Sequence, residues 1–392
     1  TIKFNLFPLL LTNPGKQVLT TQLTFADHQY DNYNQWFRPS TSTLAIESGR
    51  TGEASQDYSK SSLHSLEWIT NYSNSFGDHN LKVMAGYSYQ YNKYSGLNAS
   101  NKDFPNDALE DNNLGSGTFA KDEGEVDMGS YMNDNKLIAF FGRVSYDWKG
   151  RYMMTASLRH EGSSKFGKNY KWGNFPAVSF GWRISDEPFM QETKSWLTDL
   201  KLRADYGVTG NQNFDSYKSL NTMSGFGYYI YNGKYYQVWG PGKNVNPNLR
   251  WEKGKNWNIG LDWTLFGGKL FGSFNYYNRK QQDLLGDYKV SIPPYLFDQT
   301  FVNVGTMRNS GFEFDITWNA VKTKDFSYSL NVIGATMSNK FVSFSNNNFE
   351  GQDYYDVVSP QDPYPIHTLQ PIEKGRRIGS FYMLKYAGVD PQ

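Results

Sequence analysis

The feature that most constrains the fold is a strict alternation of apolar and polar residues, which recurs in roughly a dozen segments. Residues 311–318 read GFEFDITW, and their apolar members are Phe312, Phe314, Ile316 and Trp318. The residues between them include Glu313 and Asp315. Because a strand sends successive side chains to opposite faces, one face is aromatic and the other is charged. The alternation alone allows the apolar face to meet either a protein core or lipid.

The composition favours lipid as the surroundings of the apolar strand face. Aromatic residues make up 17% of the 392 residues, yet the mean hydropathy is −0.66. This combination is typical of outer-membrane barrels, in which half of each strand is polar and Tyr and Trp collect at the interfaces. The net charge of +1 and the scattered Lys and Arg residues argue against a nucleic-acid partner. There is no cysteine, and no apolar run is long enough for a transmembrane helix.

The connections between the strand-like segments alternate between tight turns and long hydrophilic loops. The long ones are expected at about 92–135, 209–256 and 343–374. Short turns on one rim and long loops on the other are the pattern of an up-and-down transmembrane barrel. Trp148, Trp263 and Trp318 lie just before tight turns, so we expect them in a lipid-facing aromatic girdle. A soluble β-sandwich is the alternative, but its strands would be shorter.

Charged residues in the middle of the strands are expected to line a hydrated lumen, where water or a plug reaches them. The set expected on the lumen side is Arg143, Arg159, Asp205, Asp262, Glu313 and Asp315. The carboxylates are expected to pair with arginines, including Arg183 and Arg203, in a structural role. Acid–base catalysis by such carboxylates is the less favoured interpretation.

The segment GFGYYIYNGKYYQVWGPG, residues 225–242, is the best candidate for ligand contact. Its aromatic residues are Tyr228, Tyr229, Tyr231, Tyr235, Tyr236 and Trp239. Flat apolar faces with polar edges suit sugar rings or peptide side chains. A strand pair entering the headgroup region would have the same composition, so both interpretations stay open.

No catalytic or metal motif is present in the sequence. The five histidines lack HxxxH and HExxH spacing, and there is no GxSxG motif and no P-loop. The acidic stretch 107–127 could offer oxygen ligands to a structural Ca²⁺. Its spacing is not that of an EF-hand, so a solvated loop is the favoured interpretation. We therefore expect no cofactor and no enzyme activity.

Several stretches resemble the SusC/RagA-type TonB-dependent outer-membrane transporters of Bacteroidetes. They include MTASLRHEGSSKFGKN, WGNFPAVSFGWRISDEPFM, LKLRADYGVTGNQ, NPNLRWEKGKNWNIGLDW, NVGTMRNSGFEFDITW and IGSFYMLKYAGVD, in the family's order. The resemblance implies an all-β, antiparallel transmembrane β-barrel in the outer membrane, of which this chain is part of a 22-stranded whole. It further implies import of glycans or oligopeptides, energy supplied by TonB through a plug, and a SusD-like surface lipoprotein as partner.

The sequence leaves one expectation about the extent of the chain and two alternative functions. No plug is visible, and neither the first residue, Thr1, nor the final AGVDPQ looks like a natural end, so we expect a piece of a longer protein. An outer-membrane β-barrel enzyme would need a clustered Ser, His and acid set, which the sequence does not suggest. A soluble, aromatic-rich carbohydrate-binding β protein is the other alternative.

Overall fold

The computed structural model is built around one sheet of 12 strands. It describes residues 2–9, 17–122, 127–344, 354–356, 369–383 and 385–388. Strands that are neighbours in the chain are neighbours in the sheet, except where two short hairpins are inserted. Every pairing from residue 152 to residue 343 is antiparallel. The predicted all-β antiparallel class is therefore confirmed.

The strands of the main sheet are long and follow one another as a meander. In order they are β1 (Ile2–Leu9), β2 (Gln17–Arg38), β3 (Glu53–Phe76), β4 (His79–Lys102), β5 (Asp127–Trp148), β6 (Tyr152–Ser163), β7 (Trp172–Arg183), β8 (Leu197–Asn211), β11 (Glu252–Leu265), β12 (Leu270–Gln282), β15 (Thr306–Lys322) and β16 (Ser327–Ser343). Three two-stranded sheets pair β9 (Met223–Tyr231) with β10 (Lys234–Pro241), β13 (Leu285–Lys289) with β14 (Gln299–Asn303), and β17 (Tyr354–Asp356) with β18 (Pro371–Glu373).

Helices are few and short among the described residues. There are two α-helices, α1 (Thr43–Glu47) and α2 (Phe119–Asp122). Four 3₁₀ helices span Leu114–Ser116, Ile184–Asp186, Pro188–Ser195 and Phe266–Gly268. None of these helices combines the length and the apolar composition needed to cross a membrane.

The strand registers confirm the alternation that the sequence indicates. Leu261 is paired with Phe274, which is paired in turn with Phe314, so these apolar side chains share one face. Asp262 is paired with Ser273, which is paired with Asp315 on the opposite face. The same separation continues without a register shift along the whole β11–β12 pair and the whole β12–β15 pair.

Several element bounds differ from the sequence expectation. β4 continues to Lys102 and β5 begins at Asp127, so the connection is 103–126 rather than about 92–135. The polar ends of these strands show no alternation, yet backbone pairing with a neighbouring strand holds them extended. β1 was not predicted, and β2 was not predicted because it carries polar residues on both faces. In the expected loop at 343–374, residues 345–353 and 357–368 lie outside the described residues.

The chain divides into two compact units, one of which comprises residues 1–6, 22–68 and 87–138. In this unit, side-chain hydrogen bonds stabilise the connections 39–52 and 103–122. Asp107 accepts hydrogen bonds from the backbone and hydroxyl of Ser40, and Arg50 donates to Asp103 at 2.8 Å. Asn101, which is buried, donates to the carbonyls of Leu114 and Gly117. These contacts supply the backbone groups of irregular segments with partners.

The second unit comprises residues 7–21, 69–86 and 139–392 and has a loop core of its own. Phe166, Leu249, Trp251 and Val302 are almost completely buried there. The Phe166 and Trp251 rings lie 4.6 Å apart. Burial of these large apolar side chains gives the connections beyond the strands a fixed structure.

Buried asparagines complete that loop core by satisfying backbone groups of neighbouring segments. Asn244 donates to the carbonyls of Phe297 and Gln299 and accepts from the N–H groups of Leu296 and Phe297. Asn303 donates to the carbonyl of Arg250 at 2.6 Å and accepts from its N–H at 2.9 Å. Because each side-chain amide both donates and accepts, one asparagine can hydrogen-bond a backbone carbonyl and a backbone N–H at the same time.

We expect Gly167→Ala to destabilise the loop core strongly. A Cβ at this position would lie 1.9 Å from the Pro247 carbonyl oxygen, so backbone must move. Overpacking of this kind costs about 1–3 kcal/mol or more. The matched control is Gly286→Ala, since a Cβ there meets no atom within 4 Å. The measurement is the urea concentration at the midpoint of unfolding, detected by the gel migration of unheated samples. Equal midpoints for the two variants would contradict the described packing.

Candidate functional site

The two faces of the sheet differ in chemistry over most of β11, β12 and β15, although Phe271 and, on β16, Ile333 are apolar residues on the face of Thr317 and Asp315. On one face the rings of Trp263 and Phe274 stack at 5.9 Å, and those of Phe274 and Phe312 at 6.0 Å. Phe312 remains 40% exposed and Trp318 50% exposed, although both lie in the middle or last third of a regular strand. Exposed apolar residues grouped on one face mark a surface that contacts a membrane or another protein, and contact of this face with lipid stays a prediction.

The opposite face carries a network of charged and amide side chains. Arg203 binds Asp262 in a bidentate manner, with both N–O distances 2.7 Å, and donates to the amide oxygen of Asn275 at 2.9 Å. Asn258 donates to Asp205 at 3.2 Å. The Arg203 and Asp262 side chains are about one-third exposed, and the position of this network on the lumen side stays a prediction. Such pairs have the geometry of a structural network rather than of a general acid and base.

The network continues on β15 and β16 through amide and hydroxyl groups. Asn331 donates to Asp315 at 2.6 Å and to the hydroxyl of Thr317 at 2.8 Å. Glu313 is exposed on the same face, opposite Asn275. Asp315 thus has an asparagine partner and not the arginine that the sequence led us to expect.

The other predicted arginines also differ in their partners. Arg159 binds Glu161 on its own strand at 2.7 Å, and its guanidinium lies 5.3 Å from the centroid of Phe141. Arg183 binds Asp199 at 3.2 Å. Arg143 is exposed on β5. Of the expected pairs between mid-strand carboxylates and arginines, the structure contains Arg203–Asp262 among the described residues.

Aromatic residues collect where the strands meet the short connections. Trp148 stacks on Tyr152 with the ring centroids 5.5 Å apart, and Tyr152 stacks on Trp182 at 6.4 Å. Trp318 is paired with Leu270, the first residue after a short turn. Trp263 is half-buried, and it lies two residues before the end of β11. The placement at one end of the strands fits a girdle, while contact of Trp148, Trp263 and Trp318 with lipid stays a prediction.

Glu187 organises part of this aromatic row and was not singled out from the sequence. Its buried carboxylate accepts hydrogen bonds from the Tyr152 hydroxyl, from the Trp182 indole at 2.9 Å and from Arg151 at 3.1 Å. The hydrogen bonds from Tyr152 and Trp182 lower the pKa of Glu187 below its ordinary value. The sequence signal of this role is weak: a carboxylate that follows a strand with Trp182 next to its last residue.

The aromatic segment 225–242 forms the β9–β10 hairpin, whose strands join at Asn232 and Gly233. Both turn residues have positive φ, as this type of two-residue hairpin turn requires. Tyr229 is paired with Tyr236, and their rings stack at 5.5 Å. Tyr235 belongs to the opposite side of the hairpin and is 73% exposed. All six predicted aromatic side chains are exposed, so the hairpin presents aromatic surface on both sides.

Metal ligation finds no support among the described residues, where no group of three or more His, Asp or Glu side chains could hold an ion. Carboxylates of the acidic stretch have protein partners, since Asp107 binds Ser40 and Asp111 accepts from Gln56. Residues 123–126 of that stretch lie outside the described part. The expectation that no cofactor is bound stays a prediction.

The described histidines with resolved contacts have tyrosine, asparagine, tryptophan and aspartate neighbours. His79 lies 2.6 Å from the Tyr146 hydroxyl, and His160 lies 2.7 Å from the amide oxygen of Asn174 while stacking on Trp172 at 4.6 Å. His64 lies 3.3 Å from Asp27. His367 lies outside the described residues.

Two half-buried lysines support the loops next to the hairpin. Lys165 donates to the carbonyl of Phe214 at 2.7 Å, and Lys243, directly after the hairpin, donates to the carbonyl of Tyr217. Burial lowers the pKa of both ammonium groups from the ordinary lysine value. Each lysine is thus a positioning group for loop backbone.

Comparison with known proteins identifies the class. Residues 9–367 match the family described as "TonB dependent receptor-like, beta-barrel". The chain is 32% identical over 90% of its length to TonB-dependent receptor P3 of Formosa agariphila, and 33% identical over 65% of its length to TonB-dependent receptor SusC of Bacteroides thetaiotaomicron. The RagAB peptide importer in its closed-closed state has the same fold, with a TM-score of 0.77, 23% identity and coverage of 97% of this chain and 39% of that chain.

The chain belongs to the TonB-dependent receptor β-barrel family, whose members are outer-membrane transport proteins rather than enzymes. It spans 34% of the length of receptor P3 and 25% of the length of SusC. The SusC/RagA resemblance that the sequence indicated is confirmed, as is the partial transmembrane barrel fold.

We expect Arg203 and Asp262 to be energetically coupled. Arg203→Leu alone leaves Asp262 without its bidentate partner, whereas the double variant with Asp262→Leu removes both charges. A double-mutant cycle on urea unfolding should give a coupling of about 1 kcal/mol or more. The exposed pair Lys149–Asp78, 3.4 Å apart, is the control and should give about 0–0.5 kcal/mol. Equal coupling of both pairs would contradict the described network.

Proposed function

We propose that this chain is part of a transporter that imports nutrient oligomers, glycan or oligopeptide, across the bacterial outer membrane. The observation that carries the proposal is the separation of an exposed aromatic face from an ion-paired face on the same strands. Phe312 and Trp318 lie on the first face, and Arg203 and Asp262 on the second. A wall with one lipid-compatible face and one wet face is what a transport barrel needs.

The exposed β9–β10 hairpin is proposed as one substrate-contact element, through Tyr228, Tyr229, Tyr231, Tyr235, Tyr236 and Trp239. Its rings lie on both sides of a rigid turn, and the loops at its base are fixed by Lys243 and Asn244. Preorganised aromatic groups lose little conformational entropy on binding a flat ligand. The arrangement therefore suits capture of a sugar ring or a peptide side chain.

The partners proposed for the whole protein are those that its relatives support. SusC relatives and the RagAB importer support a TonB contact through a plug and a SusD-like surface lipoprotein as proposed partners. Outer-membrane lipid is the proposed environment of the apolar face. No feature of the described surface suggests a nucleic-acid partner. An enzyme function is disfavoured because His64, His79 and His160 have no serine partner among their resolved contacts.

Gene deletion tests the proposal in cells that depend on one polymeric nutrient. Growth on that nutrient and uptake of its labelled oligomers should be lost, while hydrolysis at the cell surface persists. Complementation with the Tyr229→Ala, Tyr236→Ala variant should lower uptake at limiting ligand by about three- to tenfold. The control, Tyr328→Ala, removes an exposed aromatic residue of β16. Loss of surface hydrolysis on deletion would instead indicate an enzyme.

A further inference from the structure

The connection between β7 and β8, residues 184–196, is longer than the other described connections at the same end of the strands. Those connections are 77–78, 149–151, 266–269 and 323–326. The β7–β8 connection contains two 3₁₀ helices. Because two residues suffice to join antiparallel neighbours, the additional length is available for a contact outside the sheet.

Glu187 fixes this connection to the aromatic face of the sheet. Residues that are directly paired on neighbouring strands share a face. Tyr152 is paired with Trp182, which is paired in turn with Leu202. Leu202 is paired with Leu261, a residue of the aromatic face. Since the Glu187 carboxylate accepts hydrogen bonds from the Tyr152 hydroxyl and the Trp182 indole, the connection lies against the aromatic face and not the charged one.

The other end of the connection is joined to the neighbouring turn between β11 and β12. The Phe266 N–H donates to the carbonyl of Trp196 at 2.7 Å. The Gly267 N–H donates to the Thr198 hydroxyl at 3.0 Å. Leu197, the first residue of β8, is buried between these contacts in the chain. Hydrogen bonds at both ends therefore give residues 184–196 a fixed position.

Three aromatic rings remain exposed on these joined connections, and we call them the rim patch: Phe189, Trp196 and Phe266. Their exposed fractions are 68%, 47% and 53%. Phe266 has a φ of 53°, a left-handed conformation that is strained for a bulky side chain. An exposed ring gains little burial within the described chain in return for this strain. The rim patch therefore has the character of a contact surface for a partner outside the chain.

The residues between the rings are polar, which distinguishes lipid from a protein partner. The exposed polar residues between Phe189 and Trp196 are Gln191, Glu192, Lys194 and Ser195. The buried centre of a protein–protein interface is depleted in Lys, Glu and Ser. A segment at a membrane surface alternates them with Trp and Phe, because the rings enter the headgroup boundary while the polar groups stay hydrated.

We propose that residues 184–196 form a membrane-interface anchor, whose rim patch enters the phospholipid headgroup region and which Glu187 holds against the wall of the sheet. The rim patch continues the aromatic row at the same end of the strands, where Trp148 stacks on Tyr152. Aromatic rings are favoured at headgroup depth, since one part of the ring meets apolar chains and its edge or N–H meets water.

The inference rests on the proposed transport function, which places the aromatic face of the sheet in the outer membrane. It adds a membrane contact that lies outside the strand ladder. Interfacial aromatic residues set the depth and tilt of membrane-spanning elements. A segment that follows the membrane plane should therefore fix the depth of this rim, which the strands alone do not determine.

The experiment uses the full-length protein in phosphatidylcholine vesicles, with the fluorophore NBD on single cysteines. This chain contributes no cysteine, and any cysteine elsewhere is replaced by serine. The quenchers are a lipid brominated near the top of its acyl chain, and iodide in water. The label in Phe189→Cys should be quenched by the bromolipid and should be about twofold or more less accessible to iodide than the label in Gln191→Cys, the matched control on the same helix.

A third label, in Phe312→Cys, reports on the aromatic face of the strands. Equal iodide quenching at positions 189 and 191 would overturn the inference. Shielding of position 189 from both quenchers would indicate a protein contact and would also overturn it. Either result, together with bromolipid quenching at position 312, leaves the proposed transport wall standing. Absence of bromolipid quenching at position 312 would refute the lipid-facing wall and the anchor together.

Glu187→Gln tests the positioning role of the carboxylate. The substitution keeps the size of the side chain but replaces charge-assisted hydrogen bonds with neutral ones, which are about half as strong. Iodide access to the label at position 189 should rise by about twofold, because the connection is held less firmly. The control is Glu192→Gln, an exposed residue of the same helix, which should change nothing. With both variants folded by gel migration of unheated samples, equal iodide access would overturn the role of Glu187.

Discussion

Backbone hydrogen bonding between antiparallel strands is the constraint on which the structure depends. In hydrocarbon no water can satisfy an N–H or C=O group, so each strand must pair along its length. The meander from β6 to β16 meets this requirement with antiparallel ladders, which run without a register shift in the β6–β7, β11–β12 and β12–β15 pairs. Once the ladder is fixed, alternation divides the side chains between two faces, and Phe314 and Asp315 must point in opposite directions.

The connections lie beyond the strand ladders, so their backbone N–H and C=O groups need hydrogen-bond partners other than a neighbouring strand. Small aromatic cores and buried asparagine amides hold these connections in place. Phe166, Leu249 and Trp251 exclude water, while Asn244 and Asn303 satisfy the backbone of neighbouring segments. A fixed base is what allows an exposed hairpin such as β9–β10 to keep its aromatic surface in one place.

Strand alternation was predictable from the sequence because it depends on neighbouring residues alone. Phe312 and Asp315 were assigned to opposite faces before any partner strand was known, and the register confirms the assignment. Partners across strands were not predictable in the same way. Asp262 binds Arg203, as expected, but Asp315 binds Asn331, because pairing depends on which residues the register brings together. β2 was not predicted because its polar residues occupy both faces. The role of Glu187 was not predicted because it depends on Tyr152 and Trp182, which lie beside Glu187 only in the folded chain.

The central claim is that the aromatic face of the sheet meets lipid and the charged face meets water. The chain has no cysteine, so single cysteines at Phe312, Ile316 and Asp315 of the full-length protein in bilayers can each carry a nitroxide label without background. Relaxation by oxygen, which concentrates in lipid, and by a water-soluble nickel chelate reports the surroundings. The account predicts that oxygen dominates at 312 and 316 and not at 315. Dominance of nickel at 312 and 316, or of oxygen at 315, would contradict it.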